Sequence, residues 1–152
     1  MTDKFRETLS YDDVLLVPQA SLIRSRQDIT LESRLGKSLL SVPIIASPMD
    51  TVTGSFMASA IAQYGGMSVL HRYNTIHEQV LMLKEYLFYA GRAGVEEPLN
   101  HIAVAVGMNG DAIERASKLV SMGVKYVCID VAHGHHVMMR DTLKQLRQRF
   151  GE

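Results

Sequence analysis

Between residues 42 and 150, short apolar runs alternate with longer segments of helical periodicity. Each run is four or five residues long and rich in β-branched or small side chains, which predicts a strand covered on both faces. The predicted strands are 42–46, Met67–Leu70, Ile102–Val106 and Tyr126–Ile129. A helical segment follows each one. This order indicates parallel strands joined by right-handed crossovers.

The helical segments have recognisable starts, ends and apolar faces. The predicted helices are 56–64, 75–88, 111–122 and Val137–Phe150. Thr75 stands at an N-cap position with Glu78 three residues later, which is a capping box. Apolar residues then recur at three- and four-residue spacing on one face of this second helix: Ile76, Val80, Leu83 and Leu87. Residues 90–100 contain Gly91, Gly94 and Pro98, which predict a loop.

The first forty residues have no comparable periodicity. Residues 1–40 are predicted to form an irregular N-terminal arm, with a short strand possible at 29–32, and we expect the arm to lie across one end of the domain. Residues 41–152 then form a single α/β domain of four βα units. Two architectures fit this order: a four-stranded, open, doubly wound sheet, or half of an eightfold (β/α)8 TIM barrel.

Composition and charge narrow the functional classes. The 152 residues include 16 basic and 16 acidic side chains, so nothing favours nucleic acid or an anionic membrane as a partner. Cys128 is the only cysteine, which excludes an internal disulfide and a two-cysteine metal site. Residues 1–6 lack an apolar signal core, and no apolar run is long enough to span a bilayer. We therefore expect a cytoplasmic protein.

Polar side chains follow every predicted strand. The loops concerned are 47–51, 71–74, 107–111 and 130–136. If the strands are parallel, all four loops meet at one rim, where parallel α/β folds place their functional groups. That rim would collect hydroxyl, carboxylate, imidazole and guanidinium groups.

Each of these groups also has a purely structural interpretation. Ser47 could cap the following helix, Arg72 could form a surface ion pair, and Asp130 could anchor its loop instead of binding a ligand hydroxyl. The histidines at 133, 135 and 136 have no diagnostic metal-ligand spacing, so no metal site is predicted. Cys128 lies inside a predicted strand and is interpreted as an inert core thiol. The chain has neither a P-loop nor a Gly-x-Gly-x-x-Gly motif, so it has no Rossmann fingerprint.

Several motifs occur in the order in which one known family has them. They are Tyr11-Asp12-Asp13-Val14-Leu15-Leu16 with Pro18, Pro43-Ile44-Ile45 with residues 47–53, Gly65-Gly66 to His71-Arg72, Ala105-Val106-Gly107, and residues 130–135. Together they resemble the IMP dehydrogenase/GMP reductase family over almost the whole chain.

The resemblance implies a barrel of eight βα units. It also implies hydride transfer between a nicotinamide cofactor, NAD or NADP(H), and the C2 position of a purine nucleotide, through a covalent bond to a catalytic cysteine. By position, Ser47, Met49 and Arg72 would contact the nucleotide. Asp130 would contact the nicotinamide riboside, with Gly107 and Met108 near the cofactor. The loop after Gly107 lacks the polar pair that some members have.

The branch of the family is a narrower choice. Residues 47–53 resemble the dehydrogenases, whereas Gly54 and the Val131-Ala132 pair resemble the reductases. The short distance between Arg72 and Ala103 leaves no room for the regulatory insert that many dehydrogenases carry. We therefore favour an IMP dehydrogenase-like function (IMP to XMP, NAD-dependent), with GMP reductase (GMP to IMP, NADPH-dependent) as the alternative.

The predicted units fill only half of an eight-unit barrel, which needs about 250 residues. In the family the catalytic cysteine loop follows the sixth strand, so we expect this chain alone to be inactive. A half barrel has two unpaired edge strands and one uncovered apolar face. We therefore expect it to associate with a C-terminal half, with itself as a homo-oligomer, or by aggregation. A non-catalytic binding or assembly module is the alternative of another class.

Overall fold

The computed structural model describes residues 7–151. Residues 1–6, predicted to lack a signal core, and Glu152 lie outside the described residues. The chain divides into two compact units, residues 1–30 and 31–152. In the first unit, short 3₁₀ turns at Tyr11–Asp13 and Arg26–Asp28 each begin at a serine whose backbone amide is bonded to an aspartate three residues later. The predicted placement of the arm across one end stays a prediction.

The described part of the second unit, residues 31–151, contains six strands and four α-helices. Its strands are β1 (Ser33–Leu35), β2 (Ser38–Leu40), β3 (Ile45–Ala46), β4 (Met67–Leu70), β5 (Ile102–Val106) and β6 (Tyr126–Ile129). Its helices are α1 (Ser55–Gln63), α2 (Ile76–Arg92), α3 (Ala112–Val120) and α4 (Val137–Phe150). The last three strands have the predicted bounds, because each is a continuous apolar run.

Four of the strands form one parallel sheet in the order β3-β4-β5-β6. Each strand is joined to its neighbour through a helix, so the prediction of consecutive parallel βα units is confirmed. Sequential order without a reversal point is the order of a barrel segment; a doubly wound sheet reverses its strand order. As expected, β3 and β6 are the edge strands of this sheet.

An antiparallel hairpin of β1 and β2 precedes the sheet, where the sequence had indicated only an irregular arm. Its turn uses Gly36, whose φ of 58° favours glycine. The Ser38 hydroxyl donates to the Asn100 carbonyl oxygen at 2.9 Å and lies 2.8 Å from the Tyr126 hydroxyl. Because both partners stand at the beginnings of β5 and β6, the hairpin lies at the N-terminal end of the sheet. The expected strand at 29–32 is therefore wrong by a few residues.

The two largest differences in element boundaries are at the start of β3 and the end of α2; the other helix ends differ by one or two residues. Strand β3 begins at Ile45 and not at residue 42, since Pro43 has no N–H to donate to a neighbouring strand. Helix α2 continues through Gly91 and ends at Arg92, so the first part of the predicted loop 90–100 is helical. Gly94, with φ of 75°, follows the helix end. A 3₁₀ turn at Pro98–Asn100 then leads into β5.

The two faces of the sheet pack differently. On the outer face, Leu70, Ile102 and Val104 form a buried cluster with Leu83 and Tyr86 of α2. The inner face carries a smaller buried cluster: Met67, Val69, Ala103 and Ala105 with Leu40 of the hairpin. The expectation of an uncovered inner face is therefore wrong for the central strands. Exposed apolar surface is found at the β3 edge, where Ile45 is 47% exposed.

Candidate functional site at the C-terminal rim

The C-terminal ends of β4, β5 and β6 meet at one rim of the parallel sheet. Arg72 lies two residues beyond β4, Gly107 follows β5 directly, and Asp130 follows β6 directly. The Asp130 amide also donates to the Val106 carbonyl oxygen at 2.9 Å, which extends the β5–β6 pairing to this position. The structure thus brings together three of the residues that the sequence singled out.

Arg72 and Asp130 form an ion pair across this rim. The Arg72 Nε donates to Asp130 Oδ2 at 3.2 Å, and Nη2 donates to the Asp130 carbonyl oxygen at 3.0 Å. Both side chains are partly buried, at 31% and 24% exposed. Arg72 therefore does form an ion pair, and the partner of Arg72 is another residue of the rim, Asp130. A charge-assisted hydrogen bond between partly buried groups is stronger than one between fully exposed groups, because solvent screens it less.

Two aromatic rings lie beside this pair. The guanidinium carbon of Arg72 is 5.4 Å from the centre of the Tyr73 ring, within cation–π range. The Tyr73 ring stacks on the His71 ring at 6.4 Å between centroids. His71 is buried, and its Nδ1 has no hydrogen-bond partner among the described residues. The rim therefore combines a cation, a carboxylate and stacked rings.

Gly107 leaves space for the arginine. A Cβ added at this glycine would lie 3.4 Å from Arg72 Nη1, at the short limit of ordinary van der Waals contact. The neighbouring Met108 is held by its backbone, because the Thr142 hydroxyl of α4 donates to the Met108 carbonyl oxygen at 3.3 Å. The guanidinium thus crosses the end of β5 where no side chain obstructs it.

The loop after β3 is closed by its own hydrogen bonds. The buried Thr53 hydroxyl donates to the Ser47 carbonyl oxygen, and the Met49 carbonyl oxygen accepts from the amides of Val52 and Thr53 at 3.0 and 2.8 Å. Ser47 is exposed, and Met49 is 50% exposed. Neither has a hydrogen bond or ion pair with Arg72 or Asp130 within residues 7–151. These two predicted contacts therefore lie on a fixed loop that presents them to solvent.

A buried polar network supports the rim, and the sequence had not indicated it. Gln79 is fully buried in α2, and its amide nitrogen donates to the carbonyl oxygens of His71 at 3.0 Å and Ala105 at 3.1 Å. Its Oε1 accepts from Arg115 Nη1 of α3 at 2.9 Å. Arg115, only 5% exposed, also donates to Asn74 and Asp111. The network joins the loops that follow β4 and β5.

Sequence patterns contain a weak signal for this network. Gln79 and Arg115 each stand beside an apolar residue of the buried helix face, Val80 and Ala116. A polar residue at such a position is either buried and paired or lies at the edge of the face. Helical spacing alone does not distinguish the two, because the partners are contributed by loops distant in the sequence.

Cys128 projects from β6 into the inner-face cluster and is partly buried. Burial, and secondly the negative charge of Asp130, raise the pKa of its thiol. A nucleophilic cysteine needs the opposite environment, since the thiolate is the reactive form. The geometry therefore agrees with the interpretation of Cys128 as a core thiol.

The residues 7–151 contain no group of three or more His, Cys, Asp and Glu side chains placed to hold a metal ion. The His136 Nδ1 instead accepts from the Met138 amide at 3.2 Å and so caps α4. No helix in the described part of the chain combines the length and the apolar character needed to cross a membrane.

Comparison with known proteins agrees with the fold and with the rim motifs. The family model described as IMP dehydrogenase / GMP reductase domain matches residues 8–152. The chain belongs to the IMP dehydrogenase/GMP reductase family. An inosine 5'-monophosphate dehydrogenase structure from Legionella pneumophila superposes with a TM-score of 0.79 at 36% identity. That match covers 96% of this chain and 42% of the Legionella chain, so the sheet is a partial TIM barrel.

Curated members of both branches are similar to the chain. An inosine-5'-monophosphate dehydrogenase from Cryptosporidium parvum is 30% identical, covering 98% of this chain and 45% of the relative. A GMP reductase from Klebsiella pneumoniae is 33% identical, covering 84% and 36% respectively. The chain thus spans less than half the length of these relatives. Because the chain is similar to both enzymes, these comparisons do not distinguish an IMP dehydrogenase from a GMP reductase.

Proposed function

We propose that this chain supplies one half of the ligand site of a purine-nucleotide oxidoreductase. The preferred activity is that of an IMP dehydrogenase, which oxidises IMP to XMP with NAD; GMP reductase, which converts GMP to IMP with NADPH, is the alternative. The observation that carries the proposal is the Arg72–Asp130 pair at the C-terminal rim, in a chain that belongs to this family. That rim is where βα-barrel enzymes place their chemistry.

Asp130 is suited to hold a sugar hydroxyl of the cofactor. Arg72 and Tyr73 both point to its Oδ2, and Oδ1 has no hydrogen bond with any residue in the range 7–151. A carboxylate oxygen of this kind accepts strongly from a ribose hydroxyl. The adjacent Gly107 has no side chain to obstruct a flat ring, and Met108 is partly buried beside it. These residues fit a nicotinamide nucleotide, which supplies the hydride acceptor or donor when bound.

Arg72, Ser47 and Met49 are suited to contact the purine nucleotide. The Arg72 Nη1 forms no hydrogen bond in the described part of the chain, so it can donate to a substrate oxygen while Nε and Nη2 remain on Asp130. Ser47 offers a hydroxyl and Met49 an exposed thioether on the loop that Thr53 holds closed. Contacts made by a fixed loop cost little ordering entropy on binding.

The chain does not contain a group suited to form the covalent intermediate of the family. Its only cysteine, Cys128, lies on the inner face of β6, where burial raises the pKa of the thiol and so disfavours the reactive thiolate. The nucleophilic thiolate must therefore come from another segment. We propose that a complementary half barrel provides it by pairing with the edge strands β3 and β6. If light scattering showed a stable monodisperse monomer that does not associate with a complementary half barrel, this part of the proposal would be contradicted.

The binding role is tested by calorimetric titration of the purified chain with IMP, GMP, NAD and NADPH. We expect binding of a cofactor that Asp130→Asn weakens about tenfold or more, because hydrogen bonds to charged groups contribute about 1.5–3 kcal/mol. Asp141→Asn, a matched change on the exposed face of α4, should leave the affinity unchanged. Equal affinities in the parent and Asp130→Asn chains would refute the proposal.

A binding or assembly module without catalysis is the second candidate, favoured by the unsuitable environment of Cys128. Nucleotide binding with no turnover, even after addition of a complementary half that carries the catalytic cysteine loop, would support this alternative. Turnover by the isolated chain that depends on Asp130 would contradict both the module and the half-site proposal.

A further inference from the structure

We propose that Arg115 is a positioning residue that locks the rim loops and thereby holds Arg72 against Asp130; this inference rests on the proposed function of the rim. Within residues 7–151, Arg115 forms no hydrogen bond or ion pair with either of these two side chains. It lies on α3, the helix after β5, whereas Arg72 follows β4 and Asp130 follows β6. Its influence must therefore pass through the loops that it joins.

The first step is the anchoring of the loop that carries Arg72. On the C-terminal side of Arg72, Arg115 Nη2 donates to the Asn74 carbonyl oxygen at 2.8 Å, and Nη1 donates to Asn74 Oδ1 at 3.2 Å. On the N-terminal side, Gln79 donates to the His71 carbonyl oxygen at 3.0 Å. Only Arg72 and Tyr73 lie between the two anchors. Fixing both ends of so short a segment removes most of its backbone freedom.

Gln79 and Arg115 also connect this loop to the end of β5. Gln79 also donates to the Ala105 carbonyl oxygen at 3.1 Å, and Arg115 donates to Asp111 Oδ2 through Nη2 at 2.6 Å. Asp111 stands directly before α3 and closes the loop that begins at Gly107. The same guanidinium thus holds the loops on both sides of the place where Arg72 passes over Gly107.

Lysine cannot form the hydrogen bonds that Arg115 forms in this network. The planar guanidinium of Arg115 bonds four acceptors: Asn74 Oδ1, the Asn74 carbonyl oxygen, Gln79 Oε1 and Asp111 Oδ2. An ammonium group has three donors and no planar fork. Arg115→Lys keeps the charge and the salt-bridge partner, so it selectively removes the geometric constraint.

The position of the Arg72 side chain can be monitored directly by NMR. The Nε–H of Arg72, which donates to Asp130, gives an arginine side-chain signal in ¹H–¹⁵N NMR spectra, identified by its loss in Arg72→Lys. In Arg115→Lys we expect this Nε–H to exchange with solvent about tenfold faster, the factor for a lost hydrogen bond in a local opening equilibrium. Arg140→Lys, the same change on the exposed face of α4, should leave the signal unaltered.

Asn74→Ala provides a milder second variant, should the buried lysine prevent folding. It removes one acceptor of Arg115 at a partly exposed position and should accelerate the same exchange to a smaller extent. A purely structural role would lower the melting temperature and leave the exchange of the Arg72 Nε–H as in the parent chain; that result, in either folded variant, would overturn the proposal. The test needs no bound nucleotide, so failure of the proposed function would appear separately, as absent binding with an accelerated Nε–H exchange.

Discussion

Replacing Gln79 with methionine tests whether the buried network stabilises the domain. Methionine has nearly the same length and flexibility but neither donates nor accepts comparable hydrogen bonds. The change removes three bonds in the range 2.9–3.1 Å, to His71, Ala105 and Arg115. It also removes one donor from two carbonyl oxygens and one acceptor from a guanidinium, around a side chain that is 0% exposed.

The expected loss follows from these three contacts. At about 1 kcal/mol each for net hydrogen-bond contributions, the free energy of unfolding should fall by about 3 kcal/mol. For a domain of this size that corresponds to a melting temperature lower by about 6 to 12 °C. The measurement is thermal unfolding followed by far-UV circular dichroism.

A matched control is available on α1. The Gln63 amide is exposed and reaches only the Ser59 carbonyl oxygen of its own helix, at 3.4 Å. Gln63→Met should therefore change the melting temperature by little, as surface substitutions do. Equal melting temperatures for Gln79→Met and Gln63→Met would refute the reasoning, because they would mean that the buried amide stabilises nothing.

Two further predictions follow from the pKa shifts. The amide and hydroxyl of Thr75 hold the pKa of Glu78 below its usual value of 4.5, so this stabilisation is present above that pH and is lost as the pH falls through the lower, folded-state pKa. Thr75→Ala should lower the melting temperature by about 2 to 4 °C at neutral pH and flatten its acid dependence, and an unchanged acid dependence would contradict this assignment. Because burial and the negative charge of Asp130 raise the pKa of Cys128, iodoacetamide at mildly alkaline pH should alkylate the folded chain more slowly than the urea-unfolded chain, and Asp130→Asn should accelerate the reaction. Equal rates in the folded and unfolded chains would refute the core-thiol assignment.

The apolar runs made the central sheet predictable. Ile102–Val106 is buried at every position, and its short length and β-branched residues favour a strand over a helix. The capping box of Thr75 likewise fixed the start of α2, because its two hydrogen bonds need only residues three apart. Local chemistry of this kind is visible in a single sequence.

The features that sequence analysis missed depend on distant partners. The β1–β2 hairpin has two strands of three residues each, and Ser38 is held by Asn100 and Tyr126, more than sixty residues away. Arg115 is another case, since only the fold brings Asn74 to it. Likewise, parallel strands predicted that Arg72 and Asp130 would share a rim, but the ion pair between them is visible only in the fold, because the two residues are 58 positions apart.

We propose that the C-terminal rim of this half barrel binds the nucleotides. This proposal is tested most directly by titrating the ¹⁵N-labelled chain with IMP and with NAD and following the backbone amides. We expect shifts concentrated at Arg72, Gly107, Met108 and Asp130, with the hairpin at the opposite end unchanged. Shifts centred on the hairpin and Asn100, or no saturable shift anywhere, would contradict it.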